Sequence, residues 1–150
     1  MHDAECEAQV WIGTLGGGLN RFDKAVETFT SYQYNPDDPG SLMNNSIWYM
    51  IQDGSDPDIL WLIVDFGMEK FDKKTGTSTH YKVAENSPNA PNTQPWRVIE
   101  DYQDPNILWI ALWGGGFDRF NKTTQTFTHF THDPDNPDSL GAEDNVVRAI

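Results

Sequence analysis

The 150-residue sequence predicts an all-β fold of β-propeller blades, in about three four-stranded repeats of ~49 residues. Three tryptophans, each after an aliphatic residue, recur at spacings of 50 and 48: Trp11, Trp61 and Trp109. Three further positions keep this period: Phe22, Phe71 and Phe120; Tyr32, Tyr81 and Phe130; and Ile51, Ile99 and Ile150. Periods of about 40 to 50 residues with several short strands per copy are typical of propellers, and no stretch has a helical period.

Each copy is predicted to contain strands A, B, C and D, in that order from the central channel outward. Strand A is a mostly apolar run that ends in Asp, as in Trp48–Gln52 before Asp53. Strand B carries the tryptophan, a glycine turn follows, and strand C has the pattern NRFD, seen at 20–23. Strand D alternates threonine with aromatic residues, as at 27–32, which suits a half-exposed outer strand.

The chain is expected to be a single partial propeller over 1–150, with repeats at about 10–59, 60–107 and 108–150. The first copy supplies strands B, C and D. Two complete blades then follow, over 45–81 and 93–130, and residues 145–150 are expected to form another A strand. Propellers close with ~4 to 8 blades. We therefore expect either part of a longer propeller, or an oligomer in which the last A strand completes the first blade of another copy.

Composition excludes several classes of function. The formal net charge of −13 should repel phosphate backbones and anionic lipids, so we expect no nucleic-acid partner and no membrane contact by this segment. One cysteine, Cys6, provides neither a disulfide nor a cysteine pair for a metal. The glycine runs at 16–18 and 114–116 lack a following Lys-Ser/Thr, so they are not phosphate loops. We predict no cofactor and no metal, and Met1 begins no signal-peptide pattern.

The repeat also resembles a known family. The stretch VWIGTLGGGLNRFD, followed by ETFTSY, PGSL and a strand ending in Asp, resembles the two-component regulator propeller repeat, from about Val10 to Ile150. The second copy departs from it, with LIVDFGMEK in place of the glycine run. The resemblance implies the periplasmic or extracytoplasmic sensor of a bacterial hybrid two-component system. It implies a module that binds ligands, often oligosaccharides, is not an enzyme and has no kinase activity of its own.

Candidate ligand contacts lie in the B–C and D–A loops, which should share one face around the channel mouth. Trp113 and Phe66 are the expected stacking platforms, and Trp113 is favoured because the other copies have Leu15 or Gly16 there. The groups expected to bind hydroxyls are Asp65, Asn44, Asn45, Asn92 and Asn145, and those expected near the channel are Arg97 and Arg148. Aromatic faces with amide and carboxylate partners suit a neutral sugar.

Other tryptophans and histidines are interpreted as structural. Trp48 and Trp96 are expected to pack between blades. His129 and His132 flank the end of an outer strand and are expected to be solvated rather than metal-bound.

Two alternative functions remain open at the level of sequence. The first is part of a carbohydrate-active propeller enzyme, such as a glycosidase or lyase. It requires two carboxylates within ~5 to 10 Å of each other near the channel mouth. The carboxylates in question are Asp65, Glu143 and Asp144. The second alternative is a purely structural module, whose partner is the rest of a parent sensor or another copy of the chain.

Overall fold

The computed structural model describes residues 8–141, 146, 147 and 150, and this part of the chain is all-β, with no α-helix. Its strands form three sheets. Sheet 1 contains β1 (Gln9–Gly13), β2 (Leu19–Asp23) and β3 (Thr28–Tyr32). Sheet 2 contains β4 (Ile47–Gln52), β5 (Ile59–Val64), β6 (Gly67–Asp72) and β7 (Thr77–Lys82). Sheet 3 contains β8 (Pro95–Glu100), β9 (Ile107–Leu112), β10 (Phe117–Asn121) and β11 (Thr126–Phe130).

Within each sheet the strands follow chain order, and every neighbouring pair is antiparallel. The all-β prediction is confirmed. Sheets 2 and 3 have the expected order A–B–C–D, and sheet 1 has B–C–D. Half of the A strand expected at 145–150 lies outside the described residues, and positions 146, 147 and 150, which are described, do not belong to a strand. The single-domain organisation stays a prediction.

Strand β5 is buried along its whole length because sheet 2 lies between the other two sheets. Alternate side chains of a strand point to opposite faces. One alternate set packs in the layer shared with sheet 3: Ile59, Trp61 and Ile63. The other set packs in the layer shared with sheet 1: Leu60, Leu62 and Val64. The two cores of the molecule are therefore the two faces of one strand.

Each inter-sheet layer is built on the same three repeated ring positions. Between sheets 2 and 3, the Phe120 ring lies 5.4 Å from Trp61 and 5.1 Å from Tyr81, edge to face in both cases. The corresponding rings between sheets 1 and 2 are Phe71, Trp11 and Tyr32. Such contacts stabilise aromatic pairs beyond the burial of their area. The periodic aromatic residues of the sequence are therefore the contacts between sheets.

A polar link closes the edge of the layer between sheets 2 and 3. Asp53 follows β4 and accepts hydrogen bonds from the Trp61 indole at 2.7 Å and from the backbone N–H of Ser55 in the turn. Lys122 Nζ lies 2.7 Å from Asp53 and 3.0 Å from Glu100. Burial acts to raise the pKa of Asp53, but hydrogen bonds with Lys122 and Trp61 outweigh it and hold the pKa below the ordinary value.

Replacing Leu62 by alanine should lower the free energy of unfolding by about 2–5 kcal/mol, because it leaves a cavity at a fully buried position. Val26→Ala is the matched control, since that side chain is exposed in a turn, and it should change stability by about 0.5 kcal/mol or less. Urea unfolding followed by tryptophan fluorescence measures both. Equal losses in the two variants would contradict the role given to the inter-sheet layers.

Replacing Lys122 by methionine should cost about 2–3 kcal/mol at pH 7, because it leaves the Asp53 carboxylate buried without its cation. The folded-state pKa of Asp53 lies below 3.8, so the contribution of this ion pair is full above that pH and is lost as the pH falls through the folded pKa. The difference between wild type and variant should therefore shrink as the pH falls below 3.8. Lys74→Met, which removes an exposed partner of Asp58, is the control and should have little effect. A pH-independent difference in urea titrations would refute this assignment.

Candidate functional site

Two tryptophans are turned toward solvent by β-bulges at the start of β4 and β8, the first strands of sheets 2 and 3. The β4–β5 register shifts between Ile47 and Tyr49, and Trp48 is the extra residue. The β8–β9 register shifts in the same way around Trp96. Trp48 is 49% exposed and Trp96 is 43% exposed. The expectation that both pack between blades is wrong, because a bulge re-aims the side chain that regular pleating would direct into the layer.

The re-aimed indoles line a cavity of about 280 Å³. Its walls are formed by Trp48, Asp65, Gln94, Pro95, Trp96 and Trp113. The Trp113 ring lies 5.9 Å from the Trp96 ring at an angle of 53°, and it is 55% exposed. Trp48 Nε1 donates a hydrogen bond of 2.6 Å to Asp65, which fixes the carboxylate at the rim. The structure thus brings together the predicted residues Trp113 and Asp65 with two tryptophans that the sequence interpretation had assigned to packing.

A second hollow of about 220 Å³ adjoins the same two tryptophans. Trp48 and Trp96 line both cavities, and Tyr49 and Arg97 complete the second one. The Arg97 guanidinium stacks over the Tyr49 ring, 5.0 Å from its centroid. The two tryptophans are therefore shared by a cavity that contains a carboxylate and a cavity that contains a guanidinium.

Phe66 lies at the tip of the β5–β6 hairpin, beside the first cavity. Its φ of 67° is in the left-handed region, where glycines Gly16 and Gly114 occur in the other two sheets. A bulky residue in this conformation carries backbone strain. The Phe66 side chain is 73% exposed, and its N–H donates a hydrogen bond of 2.6 Å to Gln94 Oε1. The sequence places an aromatic ring in solvent where the repeat has glycine.

Amide side chains hold the loops beside the cavities in place, both Gln94, which the sequence interpretation did not single out, and the asparagines predicted to bind hydroxyls. Gln94 Nε2 donates to the carbonyls of Val64 and Pro95, so this amide is committed to the hairpin. The remaining amide oxygens also accept loop N–H groups: Asn44 from Ser46, Asn45 from Tyr34, and Asn92 from Asn86. A ligand-binding role for Asn45 stays a prediction.

A buried acid–histidine pair anchors the loop that contains Gln94 and precedes Trp96 of β8. Asp118 has no solvent exposure, and it accepts the N–H of Asn92 at 3.0 Å and contacts His129 Nδ1 at 2.7 Å. His129 Nε2 lies 2.8 Å from the Ser87 carbonyl. Burial raises the pKa of the Asp118 carboxyl. The expectation that His129 is solvated is therefore wrong, because it bridges a buried carboxylate and a loop carbonyl.

The equivalent pair in sheet 2 is Glu69 and His80, whose contacts repeat the pattern. Glu69 accepts the N–H of Met43 at 2.8 Å, and His80 Nε2 lies 2.8 Å from the Ser41 carbonyl. Burial raises the pKa of Glu69 as well. Both long loops that approach the cavities are thus held by a buried carboxylate on the third strand of their sheet.

Four of the predicted site residues cannot be placed in the structure. Asn145 and Arg148, and the enzyme candidates Glu143 and Asp144, lie outside the described residues. Within the described part of the chain, no group of three His, Cys, Asp or Glu side chains is placed to hold a metal ion. No helix among the described residues is long and apolar enough to cross a membrane.

Comparison with solved structures gives clear neighbours. The extracellular domain of the putative hybrid two-component system BT3049 from B. thetaiotaomicron is similar at 31% identity and a TM-score of 0.72, over 83% of this chain and 17% of that one. The extracellular domain of the putative hybrid two-component system BT4673 is similar at 22% identity and a TM-score of 0.63, over 87% of this chain and 18% of that one. The chain therefore spans less than a fifth of these neighbours. No family model and no curated protein matches it.

A third neighbour, the extracellular domain of the putative one component system BT4673 from the same organism, has 17% identity and a TM-score of 0.56. It covers 89% of this chain and 22% of that one. At this identity, and at 22% for the previous neighbour, the likeness shows the fold alone. The predicted resemblance is confirmed, because this chain's structural neighbours are extracellular domains of putative two-component systems.

Replacing Phe66 by glycine should raise the free energy of unfolding by about 1 kcal/mol, because it removes a side chain from a left-handed backbone position. Tyr102→Gly is the control, since Tyr102 is almost fully exposed but does not have a positive φ. This change should not raise the free energy of unfolding. Urea unfolding of both variants provides the comparison. A loss of stability in Phe66→Gly would show that contacts of the ring outweigh the backbone strain.

Proposed function

We propose that this chain is part of an extracytoplasmic sensor propeller of a bacterial signal-transduction protein and that it binds a carbohydrate-type ligand without catalysis. The observation that carries the proposal is the exposed wall of three tryptophans beside the Asp65 carboxylate. The neighbours being extracellular domains of two-component systems supports the sensor role and the location outside the cytoplasm.

The chemistry of the wall suits the flat face of a sugar ring. Indole rings present large apolar faces and an N–H donor, which match the C–H face and the hydroxyl edge of a pyranose. Asp65 is held by Trp48 through one oxygen, so its carboxylate is oriented toward the rim, where it accepts from hydroxyls. Preorganised aromatic side chains lose little conformational entropy on binding, which favours affinity from a small surface.

The same cavity supports binding rather than hydrolysis. Among the described residues that line it, Asp65 is the one carboxylate. Glycoside hydrolysis in most families uses a pair of carboxyl groups on either side of the scissile bond. A module that stacks and orients a ligand needs only the aromatic wall and its rim groups.

Binding to an array of neutral and acidic oligosaccharides, followed by calorimetry with the best glycan, tests the proposal. Trp113→Ala should weaken binding at least tenfold, equal to about 1.4 kcal/mol, because it removes a stacking face. Tyr102→Ala is the matched control, since that exposed ring is in the turn after Asp101, away from the cavity lining, and it should bind as wild type. An array with no bound glycan, or equal affinities for the two variants, would overturn the proposal. Binding confined to acidic glycans would instead point to the hollow with Arg97.

A further inference from the structure

The residue that follows each bulged tryptophan differs between sheets 2 and 3. Tyr49 comes directly after the bulge of β4, and Arg97 comes directly after the bulge of β8, so the two residues have equivalent positions in the register. Because this position holds tyrosine in one sheet and arginine in the other, the fold itself does not require a cation there. Arg97 lies where the hollow of about 220 Å³ is formed, beside Trp48 and Trp96.

The Arg97 guanidinium is held by an aromatic ring and is open to a ligand. It lies over the Tyr49 ring, 5.0 Å from the centroid. A planar guanidinium that stacks on a ring keeps its N–H groups around its edge, where they can form paired hydrogen bonds with a carboxylate. The side chain is exposed, and within the part of the chain that the structure describes no ion pair or side-chain hydrogen bond involves it.

Charge decides which group fits in this hollow. Among the described residues that line it, Arg97 is the one charged side chain, and the other three are aromatic. Aromatic walls reduce the water around the guanidinium, which strengthens its charge-assisted hydrogen bonds. The whole chain has a formal net charge of −13, which opposes the approach of anions. The hollow is therefore suited to a single anionic group rather than to a polyanion.

The cavity that shares Trp48 and Trp96 with this hollow has the opposite charge. Asp65 is the one carboxylate among the described residues that line it, and Trp113 adds a third ring. A carboxylate accepts hydrogen bonds from neutral hydroxyls and repels another carboxylate. The volumes of about 280 and 220 Å³ lie below the ~300 to 1,000 Å³ of pockets for drug-sized ligands, so each cavity suits one sugar ring.

We propose that the ligand is an acidic oligosaccharide in which a uronic acid ring is linked to a neutral ring. The uronate ring lies against Trp48 and Trp96, with its carboxylate on the Arg97 guanidinium. The neutral ring occupies the adjoining cavity, where its hydroxyls donate to Asp65 and its face stacks on Trp113. This inference rests on the proposed function, because it names the class of sugar that the tryptophan wall binds. The opposite charges of the two cavities fix the direction in which the ligand lies.

Calorimetry with matched disaccharides and the full 150-residue chain tests the proposal. The probes are glucuronic acid linked to xylose, glucuronic acid linked to galactose, and galacturonic acid linked to rhamnose. Each is compared with its carboxyl-reduced form, in which CH₂OH replaces the carboxylate. For at least one pair, the acidic form should bind at least tenfold more tightly than the reduced form. Added salt should weaken binding of the acidic form alone, because salt screens the ion pair.

Digalacturonate, which has a carboxylate on both rings, tests the assignment of the neutral ring. Its second carboxylate would face Asp65, so it should bind at least tenfold more weakly than the best mixed disaccharide. Asp65→Asn removes the charge but keeps an oxygen that can accept from Trp48, and it should narrow this difference. Equal binding of digalacturonate and the best mixed disaccharide to wild type would contradict the proposed direction of the ligand.

Arg97→Gln should lower the affinity for the acidic form to that for the reduced form and leave the reduced form unchanged. Arg119→Gln is the matched control. The Arg119 guanidinium also lies over a ring, 5.9 Å from the Phe130 centroid, and its loss makes the same change in net charge, but it lines neither cavity. This control should keep the full preference for the acidic form. Both arginines are exposed, so both variants should fold as wild type.

Three outcomes would refute the acidic ligand: equal affinities for the acidic and reduced forms of every pair, no binding of any acidic disaccharide, or an Arg97→Gln variant that keeps the preference. The glycan array separates this failure from failure of the proposed function. A neutral glycan that binds wild type and binds Trp113→Ala at least tenfold more weakly would leave carbohydrate binding in place while the acidic ligand is refuted. Failure of every neutral and acidic probe would refute both.

Discussion

Coverage of strand β5 on both of its faces is the constraint on which the rest of the structure depends. Both alternate sets of β5 side chains are apolar and buried, so each face of this strand has to be covered by a neighbouring sheet. Sheets 1 and 3 are therefore held against sheet 2 at a fixed spacing. The hairpins at the ends of the strands are therefore held at fixed positions. Residues of sheets 2 and 3 can then line one cavity.

Polar groups within the layers refine this arrangement. The acid–histidine pairs of sheets 2 and 3 have their carboxylates in the apolar layers, where burial raises their pKa values. Such carboxylates need hydrogen-bond partners, and each finds a backbone N–H in the long loop beside it. In sheet 1 the same pair of positions holds Asn20 and Ser31, which hydrogen bond to each other at 2.7 Å. Sheets 2 and 3 thus have an acid and a histidine at the two positions where sheet 1 has an amide and a hydroxyl.

The sequence was sufficient to predict the repeated part of the molecule. Tryptophan and phenylalanine at constant spacing located the strands and their order, whereas the ring contacts between sheets were seen only in the structure. Trp48 and Trp96 were misassigned because a bulge adds one residue without changing the composition of the strand, and a pattern of alternation then assigns that residue to the wrong face. His129 was misassigned because its partner, Asp118, lies on the neighbouring strand. Contacts across strands are visible in a sequence only once the register is known.

The two bulges also place Trp48 and Trp96 on the surface, apart from the residues of the two cores that hold the sheets together. A bulged residue has no partner in the ladder, so replacing it disturbs neither the backbone pairing nor the rings between the sheets. Substitutions at these two points should therefore cost little folding free energy. The exposed side chains at the bulges can therefore change what the surface binds without changing the architecture. The repeated residues that predict the fold lie between the sheets and do not line the cavity, so they do not identify the ligand.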